Sequence, residues 1–519
     1  MTSAADRIGS GLLAVRQARP IRPRERIHVV GVAGAGASAA ALLGVHAGAL
    51  VSGCDPGWPS PYTPALVALG IHISGEHSPT HVQTAPRPDR LAVTKALTAI
   101  DPDQPELAAA RAAGVPLEPW QQVVADAAVG RTLVGVAGTH GKSTTSGWLV
   151  HLLVAAGADP SAFVGALLPS AITDGPPATA RWGRGAAFVV EADEYAGNFD
   201  AYQPEVAIVT SAEWDHPDVF ADQAAVTATF ESWLRRAPDD ATLVANVGDP
   251  GVDTLVTRLA DWPGRVVAYA LVDQAPQRLG GYARAIAERF TTAAGPATTL
   301  LGRVTASDPA STTLELHGLD PLLGPVTARL GTAGRHNAAN ALAVAGAAAV
   351  LGLPAAVIAS GLGSFTGVGR RLERKGAAAG VVVYDDYGHH PTAIRETISA
   401  VRQREPGRRV WAVYEPLTYH RTAAMLEAFA EALASADAVA IADIWAGRDP
   451  DMTIASAAGL ANAVAARRPG MPVLVPGSVE LTADRLAEEV TTGDVVLVMG
   501  GGRSYRIGER LLERLQERR

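Results

Sequence analysis

Short apolar runs alternate along this chain with longer stretches in which apolar residues return every three or four positions, the pattern of buried strands followed by helices that cover a sheet. Ile27-His-Val-Val-Gly-Val32 and Ala49-Leu-Val-Ser-Gly53 predict two strands near the start, and residues 132–137, 186–190 and 206–210 predict three more in the middle. Residues 380–384, 409–414, 438–442, 473–475 and 494–499 predict a last set with helical patterns between them, as in a doubly wound sheet. The spacing of Trp148, Leu149, Leu152 and Leu153 predicts a helix that starts near Ser143, and residues 341–351 predict an apolar helix. Stretches rich in Pro, Gly, Asp and Ala break the pattern at 75–130 and 168–185, and a glycine-rich linker runs from Gly361 to Gly369. With 519 residues the chain exceeds what one core supports. The breaks divide it into three domains, 1–130, 131–366 and 367–519.

The apolar run from Thr132 ends in Gly138-Thr-His-Gly-Lys-Ser-Thr144 before the predicted helix. A loop of this kind gathers unpaired backbone N–H groups and the positive helix end into one concavity, which suits a polyphosphate. Gly138, Thr139, His140, Gly141 and Thr144 would form the cradle, Lys142 would reach the β/γ-phosphates, and Ser143 would hold Mg²⁺. Val136 stands where the strict phosphate-loop pattern has its first glycine, so Gly138 supplies the flexible position. A glycine-rich strand-to-helix turn with a chance lysine is the plainer alternative. Against it, the chain has only Lys95, Lys142 and Lys375, although Lys and Arg together number 44. A lysine kept in this loop offers a compact point charge that a planar guanidinium cannot.

A second loop, Gly34-Ala35-Gly36-Ala37-Ser38, approximates the dinucleotide fingerprint, and Asp55 follows at the spacing of a ribose-binding acid. Such a loop binds any diphosphate at a helix N-terminus, so a nucleotide-diphosphate group fits it and a purely structural turn remains open. Two successive central strands end in carboxylates, Glu191-Ala-Asp-Glu194-Tyr195 and Ser211 through Asp218 with His216. Their place at strand carboxyl ends beside a phosphate loop suits metal binding, with helix-capping acids as the alternative. Asn337 and Asn340 lie at i and i+3, so both amides can share one helix face near adenine or phosphate, or serve as a cap and a surface residue. In the last domain Asp385-Asp-Tyr-Gly-His-His-Pro391 and Gly500-Gly-Gly-Arg-Ser504 are loop signals at strand ends.

Composition changes the picture little. Net charge −8 argues against nucleic acid as a partner, and no apolar run approaches the ~20 residues that cross a bilayer. One cysteine, Cys54, excludes an internal disulfide and fits a reducing cytoplasm. The arginine-rich lead-in to Arg26 lacks a signal-peptide h-region.

The ordered set of Gly34–Ser38, Gly138–Thr144, Glu191–Glu194, Asp215-His216, His336-Asn337 with Asn340, Arg370-Arg371 and Asp385–Pro391 resembles the Mur ligase family from about Ile27 onward. The resemblance implies an α/β protein with a Rossmann-like UDP-sugar domain, a central P-loop ATPase-like domain with a parallel sheet, and a Rossmann-like C-terminal domain that closes over both. It implies ATP and Mg²⁺ as cofactors, UDP-N-acetylmuramate and L-alanine as small-molecule substrates, no membrane insertion, and a monomer or homodimer. Carried over, Lys142, His216, Asn337, Arg370, Arg371 and His389 would be catalytic, and Ser143, Glu191 and His216 metal ligands. His336, Asn337, Asn340 and Asp385 would lie near the nucleotide, and Asp55, Glu194, Tyr387 and Arg421 near the substrates. No lysine occurs between Lys142 and Lys375, so the carbamylated lysine of sister ligases has no counterpart in the central domain. Glu415-Pro-Leu-Thr-Tyr-His-Arg-Thr422 departs from the alanine-adding branch, leaving Arg421 to pair with the amino-acid carboxylate. Glu415-Pro416 and Glu194-Tyr195 lean toward a recycling ligase that joins a tripeptide to the same sugar nucleotide. A nicotinamide dehydrogenase and a non-catalytic nucleotide-binding regulator are the readings from other classes.

Overall fold

The structure is a computed structural model that describes residues 8–274, 276–320, 324–447, 449 and 451–517. Its strands form three sheets along the chain. The first holds β1 (Arg26–Val30), β2 (Leu50–Cys54), β3 (His72–Ser74), β4 (Arg90–Val93) and β5 (Leu117–Pro119), all parallel, in the order β3-β2-β1-β4-β5. The second has ten strands: β6 (Thr132–Ala137), β7 (Ser161–Leu168), β8 (Ala178–Arg181), β9 (Ala187–Glu191), β10 (Val206–Val209), β11 (Thr242–Asn246), β12 (Arg265–Leu271), β13 (Thr298–Ser307), β14 (Thr312–His317) and β15 (Val326–Leu330). The third has β16 (Glu373–Ala378), β17 (Val381–Asp386), β18 (Val410–Tyr414), β19 (Ala438–Ala442), β20 (Val473–Gly477) and β21 (Val495–Met499).

The fold is the three-domain α/β arrangement expected, with three differences of detail. The central sheet is parallel only from β13 to β7; at one edge β14 pairs antiparallel with both β13 and β15, and at the other β8 pairs antiparallel with β7. Likewise β16 is an antiparallel edge on an otherwise parallel C-terminal sheet. The expected linker at Gly361 also begins later, because the helix Ala355–Gly363 continues through its first glycines.

Strand order decides where the loops emerge. β6 sits between β9 and β10, all parallel, with Val136 opposite Glu191 and Ala137 opposite Val209. The loops after all three strands therefore open at one sheet edge. The helices Lys142–Ala155 and Arg335–Val350 pack against each other over one apolar cluster that includes Trp148, Leu152, Ala341 and Val344. The second of these starts at Arg335, six residues before the apolar run, which puts Asn337 and Asn340 inside its first turns.

Polar contacts join the domains. Ser38 Oγ and Thr179 Oγ1 are 3.0 Å apart, Lys95 Nζ donates to the Ala196 carbonyl at 2.7 Å, and Gln121 Nε2 donates to Asn198 Oδ1 at 2.7 Å. From the C-terminal side, Gln403 accepts from the Gly334 amide at 2.9 Å and donates to Thr312 Oγ1 at 3.1 Å.

Candidate active site

A cleft of about 990 Å³ lies where the three domains meet, lined from the central domain by His140, Lys142, Glu191 and Asn340 and from the C-terminal domain by Arg371 and His389. Its floor is the turn after β6. Gly138 and Gly141 have φ of 139° and 83°, conformations that L side chains rarely adopt. A methyl group on Gly141 would also meet Asn340 Oδ1 at 2.6 Å, so the turn can press against the helix that carries the asparagines.

Lys142 opens the helix, and its Nζ donates to the Gly138 carbonyl at 2.7 Å and to Glu194 Oε2 at 2.9 Å, with Asp193 Oδ1 at 3.5 Å. Burial opposes the ammonium charge, but Glu194 and Asp193 outweigh it and raise the lysine's pKa. Burial pushes Glu194 up to about 7 despite that lysine. Ser143 Oγ donates to Glu191 Oε1 at 3.0 Å, and the Gly165 amide donates to Glu191 Oε2 at 2.7 Å. Arg371 reaches across from the C-terminal domain and donates to Ser143 Oγ at 2.8 Å.

His216 is not part of the Ser143–Glu191 pair. Held at φ 55°, it stacks edge-on against Tyr195 and accepts a hydrogen bond at Nδ1 from Arg421 Nη2 at 2.9 Å. The same Arg421 pairs with Asp215 Oδ1 at 2.9 Å, both side chains almost wholly buried. Burial, with Arg421 adding to it, lowers His216 to about 4, so the ring is neutral at pH 7. His389 is likewise held well below the ordinary histidine range, by burial first and Arg421 second. Its Nδ1 lies 2.8 Å from the Tyr387 carbonyl, to which it donates in the tautomer that leaves Nε2 as an acceptor.

Other expected residues are placed differently. Arg370 is a tether within the C-terminal domain: it donates to Asp385 Oδ2 at 3.1 Å, to the Gly500 carbonyl at 2.8 Å and to Ser504 Oγ at 2.9 Å, beside the Tyr387 and Tyr505 rings. Asp385 is fully buried against it. Asn337 Nδ2 donates to the Ala333 carbonyl at 2.7 Å and Asn340 Nδ2 to Asn337 Oδ1 at 3.3 Å, while His336 lies 3.7 Å from Glu396. In the N-terminal loop only Gly34 is well exposed; Ala35 and Gly36 are half-buried, and Ala37 and Ser38 are buried. Asp55 accepts from the Ala33 amide at 3.0 Å and the Gly57 amide at 2.7 Å, so it shapes the loop that precedes the helix Ala35–His46.

Sequence reading missed a second group in the cleft. The His140 and His390 rings lie 4.4 Å apart beside Glu213, which also accepts from Thr392 Oγ1 at 2.7 Å. Burial opposes ionisation of Glu213, but His140 and Thr392 hold it down at about 2. His140 and His390 stand in motifs already singled out, and only the fold shows that they meet.

Three family descriptions cover the chain in order: "Mur ligase family, catalytic domain" over 26–132, "Mur ligase middle domain" over 136–348, and "Mur ligase, glutamate ligase domain" over 370–502. The chain belongs to the Mur ligase family. It is 35% identical to the UDP-N-acetylmuramate–L-alanine ligase of Frankia casuarinae over 95% of this chain and 98% of that one. Its identity to the ligase of the same name from Mycolicibacterium smegmatis is 36%, over 95% of each. The crystal structure of UDP-N-acetylmuramate-alanine ligase from Thermotoga maritima superposes with TM-score 0.73 at 24% identity, covering 95% of this chain and all of that one. A murein peptide ligase from Psychrobacter arcticus superposes with TM-score 0.68 at 22% identity, covering 95% and 99%. These two structural likenesses bear on the fold alone.

Proposed function

We propose that this protein is an ATP-dependent ligase that joins L-alanine to the carboxylate of UDP-N-acetylmuramate through an acyl phosphate. The observation that carries the reading is the half-buried ammonium of Lys142 at the mouth of a glycine turn, beside the Ser143–Glu191 pair, in the cleft shared by all three domains. The amino donor follows from the names of relatives 35–36% identical over nearly the whole chain.

A free carboxylate resists an amine because it is anionic and lacks a leaving group. Transfer of the γ-phosphoryl group of ATP converts it into a mixed anhydride, and attack by the amine on the acyl carbon then releases phosphate and forms the amide. Residues 138–144 would cradle the triphosphate, with His336, Asn337 and Asn340 on the nucleotide side, while Asp385 is buried against Arg370 and does not line the cleft. Lys142 would neutralise charge on the transferring phosphoryl, and Arg371 stands beside Ser143 to add a second cation. Ser143 and Glu191 are oxygen donors 3.0 Å apart and suit Mg²⁺, whereas His216 would join them as a ligand only after leaving Arg421. Mg²⁺ when bound would supply further neutralisation of the phosphates. Arg421 would hold the amino-acid carboxylate, Glu194 and Tyr387 would flank the substrates, and His389 Nε2 would accept the proton that the amine loses. The loop 34–38 and Asp55 would hold the sugar nucleotide's diphosphate end. Closure of the C-terminal domain about the segment after Gly363 would exclude the water that hydrolyses acyl phosphates.

The tripeptide-joining reaction is the second reading, favoured by Glu415-Pro416 and by Leu417 in the cleft wall, where a basic residue would suit a small amino acid. ADP formation measured in parallel with L-alanine, L-serine, glycine and L-Ala-D-Glu-diaminopimelate tests both. Dependence on UDP-N-acetylmuramate with preference for L-alanine is expected. Turnover only with the tripeptide would replace the first reading by the second, and turnover with none would sink both.

A further inference from the structure

The chain's one cysteine does not line the cleft and sits in a cluster the proposed reaction does not use. Cys54 ends β2 and is fully buried, with its Sγ 3.4 Å from His28 Nε2 on β1 and 3.3 Å from Glu106 Oε2 on the helix Pro105–Ala112. Glu106 Oε1 is 3.0 Å from His28 Nε2 and 3.0 Å from His81 Nδ1 on the helix Thr80–Gln83. One donor atom from each of these four residues lies within 4.8 Å of the other three. A tetrahedral zinc ion with bonds of ~2.0–2.3 Å spaces its ligand atoms ~3.3–3.8 Å apart, so only small side-chain movements separate this cluster from a coordination shell.

We propose that His28, Cys54, His81 and Glu106 form a structural site for a zinc-class divalent cation beneath the N-terminal glycine loop. The donor set is one thiolate, two imidazoles and one carboxylate, drawn from four separate elements. Such a set suits zinc and its softer neighbours and disfavours Mg²⁺, which takes oxygen. The charges also balance: thiolate and carboxylate together cancel a divalent cation while both imidazoles stay neutral. Without a cation the buried Glu106 carboxylate is partnered among the described residues by His28, His77, His81, the Cys54 thiol and the Ser78 amide, none of them a lysine or arginine. An outer layer is already in place. His28 Nδ1 lies 2.8 Å from Ser52 Oγ, which turns Nε2 inward, and His77 Nδ1 lies 3.1 Å from Cys54 Sγ, where it can donate to a thiolate.

Its position gives the site a purpose. The Gly31 and Val32 amides donate to the Cys54 carbonyl, and the next residue, Asp55, holds the Ala33 amide. A cation on Cys54 would brace the loop entrance from below without touching a substrate.

The test is metal analysis of the purified full chain, with cobalt(II) exchange as the second readout. One equivalent of zinc per chain is expected, retained in Lys142→Ala and lost in Cys54→Ser and Glu106→Gln. Cobalt should bring thiolate-to-metal charge-transfer absorption to the native protein, and excess Mg²⁺ should not displace it. Because a variant can fail to fold, the native protein alone also decides: a cobalt complex with no thiolate band overturns the proposal. So does full zinc retention in folded Cys54→Ser, or loss of the metal in Glu213→Gln, which would move it to the His140–Glu213–His390 group.

Discussion

Lys142→Ala should separate catalysis from stability in a way that depends on pH. Stripping one partner from a buried ion pair ordinarily costs ~3–5 kcal/mol. Here the buried partner left behind, Glu194, can discharge itself by taking up a proton. Holding a carboxyl neutral at pH 7, when its ordinary value is 4.5, costs at most about 3.4 kcal/mol, however hostile the site. Glu194, already at about 7, bears about 3 kcal/mol of that in the native protein. Loss of Lys142 therefore adds less than about 1 kcal/mol through Glu194 at pH 7. Asp193 is more open to water, which compensates it. The sign reverses the comfort at alkaline pH. A carboxyl raised in the folded state is most favourable below its unfolded value and loses stability as pH rises toward the folded one. In the native protein that loss stops near pH 7, whereas in the variant it continues, reaching up to about 3 kcal/mol more by pH 9. Denaturation followed by tryptophan fluorescence at both pH values measures the difference. Turnover should fall by about 10³-fold or more, and Lys142→Arg should not restore it, since a planar fork does not fit the turn. UDP-sugar binding should persist. A variant that keeps turnover within tenfold would refute the role of the cation, and one already several kcal/mol down at pH 7 with no pH trend would refute the part given to Glu194.

Arg421→Ala leaves Asp215 buried without its cation, at a cost of ~3–5 kcal/mol that falls on domain closure because the pair spans two domains. Small-angle scattering should show a more open molecule, and KM for the amino acid should rise. Gly36→Ala would drive a methyl into the Trp120 ring, an overpacking cost of ~1–3 kcal/mol, and should weaken sugar-nucleotide binding while ATP binding stays unchanged. Glu415, pushed up to about 7 mainly by burial, loses stability between about pH 4.5 and 7. Glu415→Gln should therefore stabilise the protein at pH 8 by at most ~3 kcal/mol and flatten the profile between pH 5 and 8 in thermal melts.

The strands that position the cleft were legible because each is a compact run of β-branched and small apolar residues ending in glycine or acid, as in Thr132–Ala137 and Ala187–Glu191. The antiparallel edges were not. Thr312–His317 alternates buried and half-buried positions, a weak pattern over six residues, and Ala178–Arg181 is shorter still. The start of the helix at Arg335 escaped because its first turn is polar, with its asparagines buried by neighbours and not by their own hydropathy. In the site, local motifs announced the lysine turn and the carboxylates. Pairings between distant residues, Arg421 with Asp215, Arg371 with Ser143 and Thr392 with Glu213, have no trace in a single sequence, since nothing local in either partner refers to the other. The same holds for Cys54, legible as a lone thiol and not as the neighbour of Glu106.

The scarcity of lysine gives this protein an unusual handle. Three ε-amines serve a chain of 519 residues, and one of them, Lys142, stands at the centre of the cleft with 14% of its side chain open to solvent. Lys95 is committed to the Ala196 carbonyl and Lys375 to Glu373. Acylation needs a neutral amine, and Lys142 is held as an ammonium by Glu194 and Asp193, so a label on its peptide would report that the Lys142–Glu194 pair had come apart.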